Sequence, residues 1–219
     1  MRFATRVGTS ATRMVPVLAA ASFLPWLSAI DASVTPEEAA AGFESLFNGR
    51  DLAGWDGDPS LWSVQDGVIV GSTESNPLRQ NSFLVSRRSF SDFVLRFEVR
   101  LHNGNSGMQF RSKRLEGWVV HGYQADLAEG KGWGNLHGEG LEGGLILDGW
   151  QDRAEHVVGP GWNTVEVLCR GHRIRIEVNG VVTNDVLDPG ALQGVLAMQL
   201  HRGEPMRVEY RRIRVRPLR

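Results

Sequence analysis

The sequence predicts an all-β sandwich of two antiparallel sheets, and three observations carry that expectation. Segment after segment alternates apolar with polar side chains, Gly-centred turn signals separate those segments, and helical periodicity is almost absent. A chain of 219 residues with 42% hydrophobic content can bury one large core, and sandwiches of this size commonly form a single domain. The formal net charge of −1 offers no basis for binding nucleic acid or an anionic membrane. Cys169 is the only cysteine, so no intramolecular disulfide can form and stability must come from the core. It shares the parity of Val165 and Val167, which makes it a buried apolar residue rather than a nucleophile.

The chain opens with Arg2, Arg6 and Arg13, then a largely apolar run from Met14 to Ile30, then small residues at Ala29, Ala32 and Ser33. This order resembles an export signal over residues 1–32, removed near Ser33, with a periplasmic or secreted destination; a free N-terminal anchor helix is the alternative. Pro16, Pro25 and the short apolar length argue against a retained membrane helix, so no stable membrane span is expected after processing. No cysteine follows that could accept a lipid. In the short segment 33–41, Thr35 reads as an N-cap and Pro36 as the first residue of a brief helix through Ala40.

The strands occupy residues 42–219. Trp62 to Gly71 forms a hairpin around Asp66-Gly67, and Phe93, Leu95, Phe97, Val99 and Leu101 make the inner face of one amphipathic strand. Thr164–Cys169 and Arg173–Val178 are joined through Arg170-Gly171-His172, and Asn179-Gly180 makes the next tight turn. Val195 to His201 and Met206 to Val215 close the chain. The Arg-rich end alternates with Val208, Tyr210, Ile213 and Val215 and so reads as a half-exposed closing strand. Gly130 to Gly149 reads as a long loop, the kind that is usually functional or mobile. For Trp55, Trp62 and Trp162 a core position is expected.

Two further strands load polar side chains onto one face. In Asn105–Arg111, Gly107, Gln109 and Arg111 alternate with Met108 and Phe110. In Gly122–Asp126, Gln124 and Asp126 fall opposite Tyr123 and Ala125. An amide, a guanidinium and a carboxylate on neighbouring strands can form a connected site, although alternation alone describes a solvated face equally well.

The run Phe43-Glu44-Ser45-Leu46-Phe47-Asn48-Gly49-Arg50-Asp51-Leu52-Ala53-Gly54-Trp55 resembles the entry motif of the 3-keto-disaccharide hydrolase family, also described as 3-keto-glucoside 1,2-lyase and 3-keto-2-hydroxy-glucal hydratase domains. Trp62 with Asp66-Gly67, Asn105-Ser106-Gly107 ending in Arg111, Gly122-Tyr123-Gln124, Trp162-Asn163, Asn179-Gly180 and the final Gln199, His201 and Arg212-Ile213-Arg214 follow in the family's order. The resemblance covers about Gly42 to Leu218. It implies a concanavalin A-like jelly roll with sugar bound on the concave sheet. Fold alone does not fix function.

The chemistry so implied starts from a sugar already oxidised at C3 by a separate sugar 3-dehydrogenase. The ketone acidifies the C2 hydrogen, a base removes it, the C1 substituent leaves by β-elimination, and water adds to the glucal. Such a site needs a base, an electrophile for the enolate oxygen and an acid, not the paired carboxylates of a conventional glycosidase. Glucanases of similar fold carry three alternating carboxylates on one strand, and the comparable positions here are Gly122, Gln124 and Asp126.

Candidate catalytic residues are therefore His201, Asp126 and Glu139, the last matching an acidic position in the family's long loop, although its neighbours His137 and Gly138 depart from the family's usual Tyr and Asp. His201 is preferred as base over Asp126, because a carboxylate beside Arg111 would be held weakly basic. Asn105, Gln109, Arg111, Gln124, Trp133, His137 and Gln199 are candidate substrate contacts, with Trp133 either capping a sugar ring or pinning the loop to the core. Metal dependence is open: Asp126, Glu139 and His201 could hold a divalent cation, but no zinc or calcium spacing and no cofactor motif is present. The competing function is a non-catalytic, lectin-like carbohydrate-binding module, which could work with Trp, Asn and Gln alone.

Overall fold

The computed structural model describes Met1 and residues 34–218, and every element below belongs to the unit Asp31–Arg219. The expected export signal, 1–32, lies outside the described residues apart from Met1. Among the described residues no helix is long and apolar enough to cross a membrane.

A helix α1 (Pro36–Ala40) precedes fifteen strands: β1 (Glu44–Ser45), β2 (Trp55–Asp56), β3 (Trp62–Gln65), β4 (Val68–Ser72), β5 (Ser82–Phe90), β6 (Phe93–Leu101), β7 (Asn105–Arg114), β8 (Val120–Ala128), β9 (Leu136–Glu139), β10 (Leu145–Leu147), β11 (Asn163–Arg170), β12 (Arg173–Val178), β13 (Val181–Leu187), β14 (Gly194–Leu200) and β15 (Arg207–Pro217). One sheet runs β13-β12-β11-β6-β15-β4-β3, with β1 paired to β15. The other runs β10-β9-β8-β7-β14-β5-β2. All pairings are antiparallel, giving the jelly-roll sandwich that the alternation predicts.

The expected turns form for the expected reasons. Asp66 and Gly67 have φ of 49° and 77°, and Asn179 and Gly180 have 48° and 82°, the two positive values that a tight hairpin turn demands. Thr35 caps α1 in a reciprocal capping box with Glu38, and Pro36 is its first residue. Glu38 also binds Arg96 and Arg214, which fixes the helix to the outer face of the first sheet.

Between the sheets lie Phe93, Leu95, Phe97 and Val99 of β6, Met108 and Phe110 of β7, Tyr123, Ala125 and Leu127 of β8, Leu196, Met198 and Leu200 of β14, and Val208, Tyr210, Ile213 and Val215 of β15. Phe110 and Tyr123 stack with centroids 5.7 Å apart. A buried polar link crosses this core. Ser106 Oγ donates to the Gln199 carbonyl at 2.6 Å and so receives the Tyr210 hydroxyl at 2.8 Å. Cys169 is fully buried, and burial pushes its thiol up to about 12, a packing role rather than a nucleophilic one.

Three expectations are corrected. The Gly130–Gly149 segment is not one long loop, because β9 and β10 form within it and extend the second sheet. Trp162 is not in the core: it lies half-buried between the guanidinium groups of Arg100 and Arg211, 4.9 and 4.1 Å from its ring. Trp133 is 4% exposed and part of the core, so it pins the β8–β9 loop and offers no face to a sugar.

Candidate active site

The face of the second sheet turned away from the core is polar because register and glycine cooperate. Gln124 pairs with Gln109 across β8 and β7, and with His137 across β8 and β9. Gly107 sits opposite Asp126, and its missing side chain makes room for Gln124: a Cβ there would lie 2.2 Å from Gln124 Cδ. Gln124 therefore leans over Gly107 towards β14. Its Nε2 donates to Asp126 Oδ1 at 2.9 Å and to Gln199 Oε1 at 3.3 Å, while its Oε1 accepts from Gln109 Nε2 at 2.8 Å.

The network continues to Glu139. Gln199 Nε2 donates to Glu139 Oε2 at 2.9 Å, and Asn81 Nδ2 donates to Glu139 Oε1 at 2.9 Å. Glu139 stands on β9 and Gln199 on β14, with β8 and β7 between them. Three strand spacings on a flat sheet are about 14 Å, beyond the reach of these two side chains, so the sheet must curl. The curl brings Glu139 over the groove and explains why Gln109, Gln124 and Gln199 are at most 1% exposed.

The open part of the groove is a cleft of about 390 Å³ lined by His137, Glu139, His201, Asn81, Arg202 and Leu141, among others. His201 Nδ1 lies 2.6 Å from the Arg202 carbonyl, which can only accept. That bond assigns the imidazole proton to Nδ1 and leaves Nε2 as the basic nitrogen. Asn81 ties the two titratable groups together, since its Oδ1 accepts from the Arg202 backbone N–H at 3.0 Å while its amide nitrogen holds Glu139. Burial holds the His137 imidazole below its ordinary value, opposed by Glu139 and reinforced by His201.

Of the residues expected in the site, His137, Glu139 and His201 line the cleft. Gln109, Gln124, Asp126 and Gln199 form a buried layer joined to it through the Gln199–Glu139 bond. Asn105 is half-buried at the start of β7, and its Oδ1 has no partner. Arg111 is the clear departure. A bulge between Phe110 and Lys113, with Arg111 at φ 48°, turns its side chain to the inter-sheet side. There it donates to the carbonyls of Ser91 and Gly171, each at 2.7 Å, and to Asp92 at 2.8 Å.

Ser112 takes the position that alternation gives to Arg111, donating to Gln109 Oε1 at 2.7 Å in the space left by Gly122. Sequence reasoning missed Ser112, Asn81, Gln80 and Arg202. The only legible signal was Gly122, whose Cβ would meet Ser112 Oγ at 2.5 Å.

With Arg111 removed from the site, the reason for expecting a low pKa at Asp126 disappears. Burial drives the Asp126 carboxyl up to about 7, and the charge of Glu139 adds to the rise, against the Gln124 hydrogen bond and the Leu127 backbone. Asp126, Glu139 and His201 do not converge on one point that could hold a cation. Among the described residues the only such triad is Asp152, Glu155 and His156, exposed and on another loop, with ligand atoms within 4.8 Å of one another. Gly107→Ala should push Gln124 out of the network and lower stability by about 1–3 kcal/mol, the cost of unpaired buried amides, measurable by chemical denaturation.

Residues 42–216 match the family model for the 3-keto-alpha-glucoside-1,2-lyase-like domain. A comparison with curated proteins gives no match. Among solved structures, a glycosyl hydrolase candidate of Parabacteroides distasonis aligns at TM-score 0.65 and 22% identity, over 85% of this chain and 98% of its own. The carbohydrate-binding module CBM66 of Bacillus subtilis aligns at TM-score 0.58 and 16% identity, over 74% and 94%. The β-glucanase of Bacillus licheniformis aligns at TM-score 0.50 and 10% identity, over 75% and 92%. At these identities the three likenesses speak to fold.

Proposed function

The chain belongs to the 3-keto-alpha-glucoside-1,2-lyase-like domain family, and from that premise we propose that it cleaves 3-keto-glycosides by elimination and hydration. The observation that carries this is the pairing, in one cleft, of an imidazole with a free Nε2 and a carboxylate held only by neutral amides. His201 Nε2 takes the C2 proton, and the C2–H electrons form the C1–C2 double bond as the C1–O bond breaks. The leaving alcohol takes a proton from His137 in its imidazolium form, and the Arg202 guanidinium with the Asn81 and Gln80 amides faces the C3 oxygen. Water then adds its hydroxyl to C1 and its proton to C2, so that glycoside and water give 3-keto sugar and alcohol. Oxidation at C3 falls to a separate dehydrogenase. Asp126, buried behind the wall, acts on Glu139 through charge and the amide network rather than on the substrate.

Purified protein should convert 3-keto-trehalose and leave trehalose untouched, and His201→Ala should lower that turnover roughly 100-fold, the scale of a lost general base. The fold likeness to a carbohydrate-binding module favours one other reading, a sugar-binding module without chemistry. That reading requires binding of both sugars with no product from either. Export is part of the proposal: sequencing the N-terminus of protein recovered from its native host should give a start near Ser33, and a retained Met1 would refute it.

A further inference from the structure

The cleft has a second wall with different chemistry. Besides His201, Asn81 and Arg202, the lining includes Val119, Leu141 and the glycines 138, 140 and 144. Leu145 extends this wall, because it pairs with His137 across β10 and β9 and so shares the face on which His137 meets the cleft. Leu141 and Leu145 are 45% and 53% exposed, and Ile146 and Leu147 beside them are each 39% exposed. Such a cluster in one short hairpin is an unusual thing to leave open to water.

We propose that Leu141 and Leu145 form a subsite for an apolar aglycone, so that the substrates are 3-keto-glycosides of alkyl or aryl alcohols; this rests on the 3-keto-glycoside reading above. The wall is continuous with the cleft, because Leu141 lines it together with Glu139 and with His137, the group nearest the C1 substituent in the reading above. A sugar placed against His201 and Glu139 would therefore direct its C1 substituent along the leucines. Area separates this occupant from a second copy of the chain. Leu141 and Leu145 expose roughly 180 Å² between them, well short of the ~800 Å² per partner that a stable interface covers. The same area is close to the ~150–250 Å² that one aromatic group buries. Gly140, Gly143 and Gly144 have φ of 66°, 86° and 63°, so the turn that presents Leu141 is built from backbone that only glycine adopts readily, and Gly143 faces open space.

The test compares 3-keto derivatives of hexyl and methyl glucoside, whose leaving alcohols have closely similar acidity, so that a rate difference reports contact with the chain rather than bond strength. The full-length mature protein should show a kcat/KM ratio of hexyl to methyl of at least about 10, given that each buried methylene contributes a few-fold. In the double variant Leu141→Ser, Leu145→Ser that ratio should fall towards 1. A ratio near 1 in the unaltered protein, or one that survives in the variant, overturns the subsite. If neither compound is turned over, the parent reading has failed and calorimetric binding of hexyl and methyl glucoside decides the subsite on the same ratio. Loss of a dimer in the variant, with the ratio unchanged, would assign the leucines to self-association instead.

Discussion

Arg111→Ala should destabilise the fold by about 2–5 kcal/mol, the cost of emptying a packed interior site, with a lowered denaturation midpoint as the readout. The side chain is 1% exposed and satisfies three acceptors on two separate connections, the β5–β6 turn at Ser91 and Asp92 and the β11–β12 turn at Gly171. Removing it leaves a void where a guanidinium and its stem had packed and unties two turns whose own residues, Ser91 and Gly171, are exposed. Asp92 would keep only its bonds to the Gly171 N–H. Because the side chain faces away from the cleft, surviving folded protein should retain its sugar affinity. A variant that folds normally but loses sugar affinity would return Arg111 to the binding face.

Asp126→Asn should remove the loss of stability that Asp126 imposes as pH rises through about 7. The carboxyl rises from 3.8 to about 7 on folding. A group whose folded pKa exceeds its unfolded value favours the fold in its protonated form. That contribution is complete below about pH 4 and is lost as pH rises through about 7. The loss amounts to about 4 kcal/mol at 1.36 kcal/mol per pH unit. Asparagine keeps the neutral form at every pH, and its carbonyl can still accept from Gln124. The variant should therefore match the parent near pH 3.5 and exceed it by up to about 4 kcal/mol above pH 7, measured by denaturant titration across that range. Equal stabilities at pH 8 would mean that Asp126 is already ionised at no cost in the fold. In turnover, the variant should lose a pH limb near 7 that arises from the charge of Asp126 beside Glu139.

These two residues also mark where the sequence could be read and where it could not. Strand identity was legible wherever side chains alternate without interruption, as in Phe93 to Leu101, and turns were legible where Asp-Gly or Asn-Gly supplied the left-handed backbone. Alternation fails at a bulge, because two successive residues then share a face. Arg211-Arg212 sits at one such bulge, with Arg212 at φ 49°, inside an end that reads from its residues as plain alternation. Phe110-Arg111-Ser112 is equally silent, since a single arginine fits either face. The pKa of Asp126 was misjudged for that reason alone: a register error moved a positive charge beside it. Glu139 and His201 were legible as candidates, through the resemblance, but their partner Asn81 was not. Its contacts depend on how far the sheet curls, which no local pattern encodes.

That curl also has a consequence for how the protein comes to be active. The bonds that shape the cleft join residues far apart in the chain: Asn81 to Glu139 spans 58 positions, Gln199 to Glu139 spans 60, and Ser106 to Gln199 spans 93. Contacts of such separation form only after long stretches of chain have been ordered, and folds dominated by them reach the native state in milliseconds to seconds rather than microseconds. A nascent or partly folded chain that lacks β14 is without the Gln199 bond to Glu139 and keeps at most the one from Asn81. Catalytic competence should therefore appear late in refolding, together with the last strand pairings, and not with the earlier burial of the aromatic core.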